Sequence, residues 1–143
     1  MTNSNTQLHA SLRAHRQSIT TTREIVFRAL HRSHAPLSMS ELIAACPRID
    51  RASVYRTVLI FEKLGICQRL QFGWKYKIEL SDQFQEHHHH MSCTSCGRTI
   101  ELPEDKALEL RLQQLATAQG FQPSEHQIEI RGLCAACNSK SKY

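Results

Sequence analysis

Two Cys-x2-Cys pairs, Cys93/Cys96 and Cys134/Cys137, constrain the second half of this chain more than any other feature. Four thiolates in two knuckles form a closed tetrahedral shell that suits Zn²⁺ and leaves no position open for a substrate. The 37 residues between Cys96 and Cys134 exceed the usual zinc-ribbon spacing. A strand–helix–strand unit must therefore fold inside the loop, and the metal staples its ends. In a secreted mini-protein six cysteines would read as disulfides. The first twenty residues, however, lack an apolar h-region and a small-residue cleavage site, so a reducing, cytoplasmic setting is expected. Two unrelated dithiols or a redox pair are the alternative. Cys46 and Cys67 stand alone and read as small buried hydrophobes.

Residues 87–90 are four consecutive histidines. On an extended strand successive side chains point to opposite faces, so His87 and His89 project one way and His88 and His90 the other. One short tract can thus supply two ligands to each of two metal sites. Further ligands must come from elsewhere, and Glu101, Glu109 and His126 are the downstream candidates. Nitrogen–carboxylate shells fit Zn²⁺, Fe²⁺ or Mn²⁺, and ligand type alone does not choose among them. A solvated histidine-rich loop is the plainer alternative. A purification-tag remnant is disfavoured by the tract's internal position and by the knuckle that follows it.

Charge divides the chain. Residues 1–80 carry 12 basic and 5 acidic side chains, net +7, whereas 81–143 carry 6 and 8, net −2. Only the first half suits a polyanion. With 143 residues the chain accommodates one ordinary domain or two small ones. No stretch approaches the ~18 consecutive apolar residues of a membrane span, so no membrane role is expected.

The order of elements gives the first half a shape. Residues 1–10 are polar and expected to fray, with a short helical stretch at 12–16. The Thr20-Thr21-Thr22 run caps a helix over 23–33, Ser38 caps one over 39–46, and Asp50 caps a third ending near Gly65. Pro47 stops the second of these. In the third, Val54, Val58, Phe61 and Leu64 share one face, Arg56 points almost opposite, and Tyr55 lies on the flank. Strand-like segments at 67–72 and 75–80 join at Gly73, which completes the order of a winged helix-turn-helix. Tyr55 and Arg56, with Arg51 and Lys63 nearby, can meet thymine methyls, guanine edges and phosphates. A solvated face on a protein-binding winged helix is the alternative. Residues 81–86 read as a linker. Beyond it the expected order is strand (87–93), knuckle, strand (98–102), helix (104–119, ended by Gly120), strand (127–130) and knuckle, with Leu108, Leu112 and Leu115 as the helix's core stripe. The fold class is thus mixed α and β: a winged helix-turn-helix over 1–80, a linker at 81–86, and a small zinc-stapled α/β domain with a three-stranded sheet over 87–143.

Taken together, these residues resemble the ferric uptake regulator family of bacterial metal-dependent repressors. The signatures are Thr20-Thr21-Thr22-Arg23, Ser53-Val54-Tyr55-Arg56-Thr57-Val58, the run from His87 to Gly97, Arg98-Thr99-Ile100-Glu101-Leu102, Gly120-Phe121 followed by His126, and Cys134/Cys137. They span about residues 10–140 in order. The resemblance implies a homodimer held by the C-terminal domain, a double-stranded DNA operator, and repression when a divalent metal co-repressor binds. Carried over by position, Cys93, Cys96, Cys134 and Cys137 would hold structural zinc, and His87, His89, Glu109 and His126 a site in the dimer domain. A sensor site would combine Glu79 with His88, His90 and Glu101, and His34, Cys67 or Asp82 could complete it. DNA contacts would come from Arg51, Tyr55 and Arg56, with Arg16 before the first helix start. His89 stands where iron sensors carry Asp, the four-histidine run is similar to some zinc uptake regulators, and Glu101 replaces the Asp of peroxide sensors. The regulatory metal is accordingly expected to be Fe²⁺ or Zn²⁺, with Mn²⁺ and Ni²⁺ behind, and a zinc-uptake-type regulator is the narrower alternative. Two other classes compete. A metalloenzyme lacks an H-E-x-x-H-like motif placing a general base beside an open metal position. A winged-helix, zinc-knuckle interaction adaptor would bind no duplex in a metal-dependent way.

Overall fold

The structure is a computed structural model that describes residues 2–72 and 74–140, with side chains from residue 4 onward. The chain forms two compact units, one ending at Glu86 and the other beginning at His87. The first contains helices α1 (Thr2–Ala14), α2 (Thr21–Arg32), α3 (Met39–Ala45) and α4 (Arg51–Lys63), then strands β1 (Cys67–Phe72) and β2 (Lys75–Leu80). The second contains β3 (His88–Cys93), β4 (Thr99–Pro103), α5 (Lys106–Ala118), β5 (Glu129–Gly132) and α6 (Ala135–Lys140).

Side-chain caps start the helices of the first unit where short polar residues precede apolar stripes. Thr20 accepts from the Arg23 amide, and Asp50 accepts from the Ser53 amide at 2.9 Å. Ser38 and Glu41 form a reciprocal capping box, with the Glu41 carboxylate 2.7 Å from the Ser38 amide. Val26, Phe27 and Leu30 of α2, Leu42 of α3, and Val54, Val58 and Phe61 of α4 converge on one core with Ile66, Ile78 and Leu80. β1 and β2 pair antiparallel from Cys67↔Leu80 to Phe72↔Lys75. Leu37 bridges Ile78 through two backbone hydrogen bonds of 2.7 and 2.9 Å, which fixes the hairpin beside the entry to α3. This is a winged helix-turn-helix, with β1–β2 as the wing.

Two stretches of the first unit are more ordered than their composition indicates. Of residues 1–10, expected to fray, the described ones, 2–10, belong to α1, and Leu8 and Leu12 of that helix are fully buried. Two leucines four residues apart make only a narrow apolar stripe, but a helix gains most of its stability from tertiary packing. Side-chain ties add to it: His9 meets Glu24 at 2.7 Å and Ser4 meets His31 at 3.0 Å. Residues 81–86, expected as a linker, fold back on the same unit. Phe84 is buried edge-on against Phe27, with ring centroids 5.3 Å apart, while Ser81 and Gln83 donate to the Gly65 carbonyl. A single aromatic residue outweighs the polarity of its neighbours.

The second unit is a three-stranded sheet of order β4-β3-β5, with β3 antiparallel to β4 and parallel to β5. The parallel pair needs a crossover, and α5 supplies it. Asp105 caps α5 by accepting from the Ala107 and Leu108 amides at 2.9 and 3.1 Å, and Gly120 ends it at φ +78°, a conformation open to glycine. The expected core stripe of α5 is not buried within one chain: no residue of the helix is, and Leu108, Leu110 and Leu115 are exposed. Periodicity places Leu108, Leu112 and Leu115 on one face of a helix without stating what covers it.

Replacing Leu8 by Ala should destabilise the first unit by about 2–5 kcal/mol, the usual cost of truncating a buried leucine. Urea unfolding followed by far-ultraviolet circular dichroism checks this. An unchanged midpoint would mean that α1 contributes no packing.

Candidate metal centres and nucleic-acid surface

The four knuckle cysteines come together through local backbone geometry and one long-range pairing. Gly97, at φ +73°, lets the first knuckle turn back, so that the Gly97 amide reaches the Cys93 carbonyl and the Cys93 amide the Arg98 carbonyl. The register Cys93↔Gly132 between β3 and β5 then delivers Cys134, whose amide donates to Cys93 Sγ at 3.3 Å. Cys137 lies one turn further along α6, on the same side as Cys134. Sγ atoms of Cys96 and Cys134 stand 3.8 Å apart, and all four ligand atoms lie within 4.8 Å of one another. A tetrahedron with ~2.3 Å zinc–sulfur bonds has edges of about 3.8 Å.

Electrostatics agree with a dication. Backbone amides of Cys134 and Cys96 lower the Cys93 thiol to about 6, and the Cys137 amide lowers Cys134. For Cys137 the Ser95 hydroxyl acts downward, but the crowding of Cys134 and Cys96 prevails and pushes it up to about 11. A bound cation would offset the mutual crowding that raises Cys137. Donor set and spacing fit zinc.

The histidine strand divides as its period requires. On one face, His87, His89 and His126 converge on Glu109. The Glu109 carboxylate approaches Nε2 of His89 at 2.7 Å, of His126 at 2.9 Å and of His87 at 3.6 Å, and the His87 and His126 Nε2 atoms stand 3.3 Å apart. A tetrahedral metal with ~2.0–2.1 Å nitrogen bonds spaces its ligands by about 3.3 Å. Burial raises the Glu109 carboxyl, but the hydrogen bond with His89 and the nearby imidazoles outweigh it and hold it below the ordinary glutamate value. His89 is almost wholly buried, and its Nδ1 has no hydrogen-bond partner. These residues fit a nitrogen–carboxylate metal site. On the opposite face His88 and His90 meet edge-on with ring centroids 4.8 Å apart, and His88 Nε2 lies 3.9 Å from Glu101, the register partner of His90.

Glu79 belongs to the first unit, on β2, where it is buried and accepts from Gln68 at 2.8 Å. Of the three residues named to complete that second set, Cys67 sits in the apolar core with its thiol against the Val58 carbonyl, and its pKa is pushed up to about 12, chiefly by burial and then by Glu62. A neutral core thiol is a poor ligand. His34 and Asp82 are exposed.

The outer face of α4 presents Arg51, Tyr55 and Arg56, all exposed. Arg51 stands over the Tyr55 ring at 5.8 Å, and Arg56 donates to the Ser53 hydroxyl at 3.0 Å. Arg16 is exposed at the end of α1 in the left-handed region, φ +54°, where the Gln17 amide closes on the Leu12 carbonyl. The wing adds aromatic and basic residues that periodicity did not single out, Trp74 at its tip among them.

Alkylation should separate the two kinds of cysteine. With metal bound, none of the six should react quickly; after chelation Cys93, Cys96, Cys134 and Cys137 should label, while Cys46 and Cys67 stay protected in the core. Mass spectrometry of alkylated peptides reads the outcome. Equal labelling of all six would remove the distinction.

Known proteins place this arrangement. Residues 14–131 match the sequence profile of the Ferric uptake regulator family. The ferric uptake regulation protein of Bordetella parapertussis is 38% identical over 97 residues, covering 67% of this chain and 68% of that protein. The peroxide-responsive repressor PerR of Staphylococcus aureus is 30% identical over 139 residues, covering 92% and 89%. The solved structure of the Helicobacter pylori ferric uptake regulator superposes with a TM-score of 0.79 at 24% identity, covering 95% of this chain and 92% of that one, which shows the shared fold. With its winged helix, cysteine cluster and divided histidine strand, this chain belongs to the ferric uptake regulator family of metal-responsive, DNA-binding transcriptional regulators.

Proposed function

We propose that this protein is a metal-dependent repressor that binds an operator in duplex DNA as a homodimer. The observation that carries the reading is the division of one histidine strand into two ligand faces within a chain whose other half is a basic winged helix. DNA recognition falls to α4, with Tyr55 and Arg56 in the major groove, Arg51 beside them, and Arg16 on the backbone. The exposed leucines of α5 and the exposed Ile100 and Ile130 of the sheet support self-association, because a face of this kind is uncommon on a monomer.

The two histidine faces take different roles. His87, His89, Glu109 and His126 all lie in the second unit, so a metal there would brace that unit and its dimer. The sensor site is assigned to Glu79 with His88, His90 and Glu101, ligands from both sides of the Glu86–His87 junction. A metal held by both would fix the separation of the two α4 helices in a dimer. DNA and metal then raise each other's affinity, typically by 1–3 kcal/mol. Fe²⁺ and Zn²⁺ are the sensed metals proposed, with Mn²⁺ next.

Three measurements test this. His90→Ala should abolish the metal dependence of DNA binding in a fluorescence-anisotropy titration, whereas His89→Ala should lower stability and leave most of the response. A full metal response from His90→Ala would remove the sensor assignment. Tyr55→Ala should cost about 1–3 kcal/mol of operator affinity and relax base preference. Cys96→Ser should release structural zinc and the dimer together, read by metal analysis and sedimentation. Retained zinc with dimeric mass would exclude the four-cysteine site.

A further inference from the structure

Glu79 is the one carboxylate in strands β1 and β2, and it is only 7% exposed. Ile78 and Leu80, its neighbours along β2, belong to the core of the first unit, and the period of a strand turns Glu79 to the opposite face. Its register partner across the hairpin is Gln68. Directly opposed residues of an antiparallel pair have Cβ atoms about 4.5–5.5 Å apart, so their side chains lie against each other. The Gln68 amide donates to Oε1 of Glu79 at 2.8 Å. An ionised carboxylate only accepts, so the amide must present its nitrogen to it, which settles the way the Gln68 side chain is turned.

The donor is neutral although cations stand close by in the same hairpin. Arg69, next to Gln68, makes a bidentate pair with Glu62 at 2.8 and 2.9 Å and lies 4.0 Å over the Tyr76 ring. Lys77, two residues before Glu79, acts on Glu41: burial raises the Glu41 carboxyl, but the Ser38 hydrogen bonds and then Lys77 hold it below its ordinary value. An arginine or lysine paired with Glu79 would neutralise it and repel an incoming cation. An amide orders the carboxylate and brings no charge of its own. Hydrogen bonds to the outer side of a metal ligand fix its orientation, and their loss costs about 10–100-fold in metal affinity. We infer that Gln68 is a positioning residue of the sensor site, whose amide holds Oε1 of Glu79 and so presents Oε2 to the regulatory metal. This rests on the sensor assignment above and extends it to a side chain that itself touches no metal.

The experiment uses the full chain with its cysteine site filled by zinc, Co²⁺ as the probe metal, and duplexes enriched by the protein from a random-sequence pool. Subtracting the visible absorption of His90→Ala isolates the Co²⁺ band of the sensor site. Gln68→Met keeps the length of the side chain and removes the donor. Its sensor-site band should shift, and the Co²⁺ concentration at half-saturation, read by that band and by DNA anisotropy, should rise about 10–100-fold. At saturating Co²⁺ its DNA affinity should return to the wild-type value, and its urea midpoint without Co²⁺ should stay unchanged. Wild-type band and half-saturation in Gln68→Met, with the response lost in Glu79→Ala, would overturn the positioning role and leave the sensor assignment standing. A lowered urea midpoint, with DNA affinity that saturating Co²⁺ does not restore, would overturn it in favour of plain packing in the wing. A full Co²⁺ response from Glu79→Ala would overturn both readings.

Discussion

The parallel pairing of β3 with β5 is the contact on which the second unit depends. It sets Cys93 opposite Gly132 and so brings Cys134 to the first knuckle. Yet the pairing has little apolar support. α5, which makes the crossover, buries none of its residues within the chain, and β5 is exposed along its whole length. In the first unit, by contrast, a continuous core of aliphatic and aromatic residues holds four helices and a hairpin. One unit is organised by hydrophobic burial and the other by ligand convergence. Metal binding is then inseparable from folding in the second, as in other small domains whose ligands assemble only in the native state.

The period-two geometry of a strand divides four identical residues into two chemical environments. His89 faces inward to Glu109 and is almost wholly buried, whereas Nε2 of its neighbour His88 lies 3.9 Å from the Glu101 carboxylate. No insertion or separate loop is needed to build two ligand sets. The same economy makes the arrangement sensitive to register: a slip of one residue would exchange every histidine between faces. The antiparallel partner β4 holds that register, with His90 opposite Glu101 and Met91 opposite Ile100.

Much of this was legible in the sequence, for identifiable reasons. Capped helix starts, the β1–β2 hairpin and the two knuckles depend on short-range chemistry, and Ser38, Asp50 and Gly97 announce it. The alternation of the histidine run is a property of any strand. What escaped depends on contacts that local patterns do not record. Leu8 and Leu12 are too sparse to mark a packed helix, and Phe84 sits alone among polar residues, yet both segments are pinned by partners far along the chain, Glu24, His31 and Phe27. For α5 the periodicity was visible, but among the described residues nothing buries Leu108 or Leu115. Cys67, read as a small buried hydrophobe and also named among possible ligands, lies in the core against Val58, in line with the first reading.

The distance along the chain between the two knuckles also sets an order of synthesis. Cys93 and Cys96 leave the ribosome 41 and 38 residues before Cys134. At about 5–20 residues per second, that is roughly 2–8 s in which the first pair exists without the second. By then the winged helix has all of its residues and can fold, while the nascent second unit displays two thiols and four imidazoles with no completed shell. During that interval the chain resembles an open chelator more than a regulator, and which ion or oxidant meets it is decided by the cell's free metal and thiol pools.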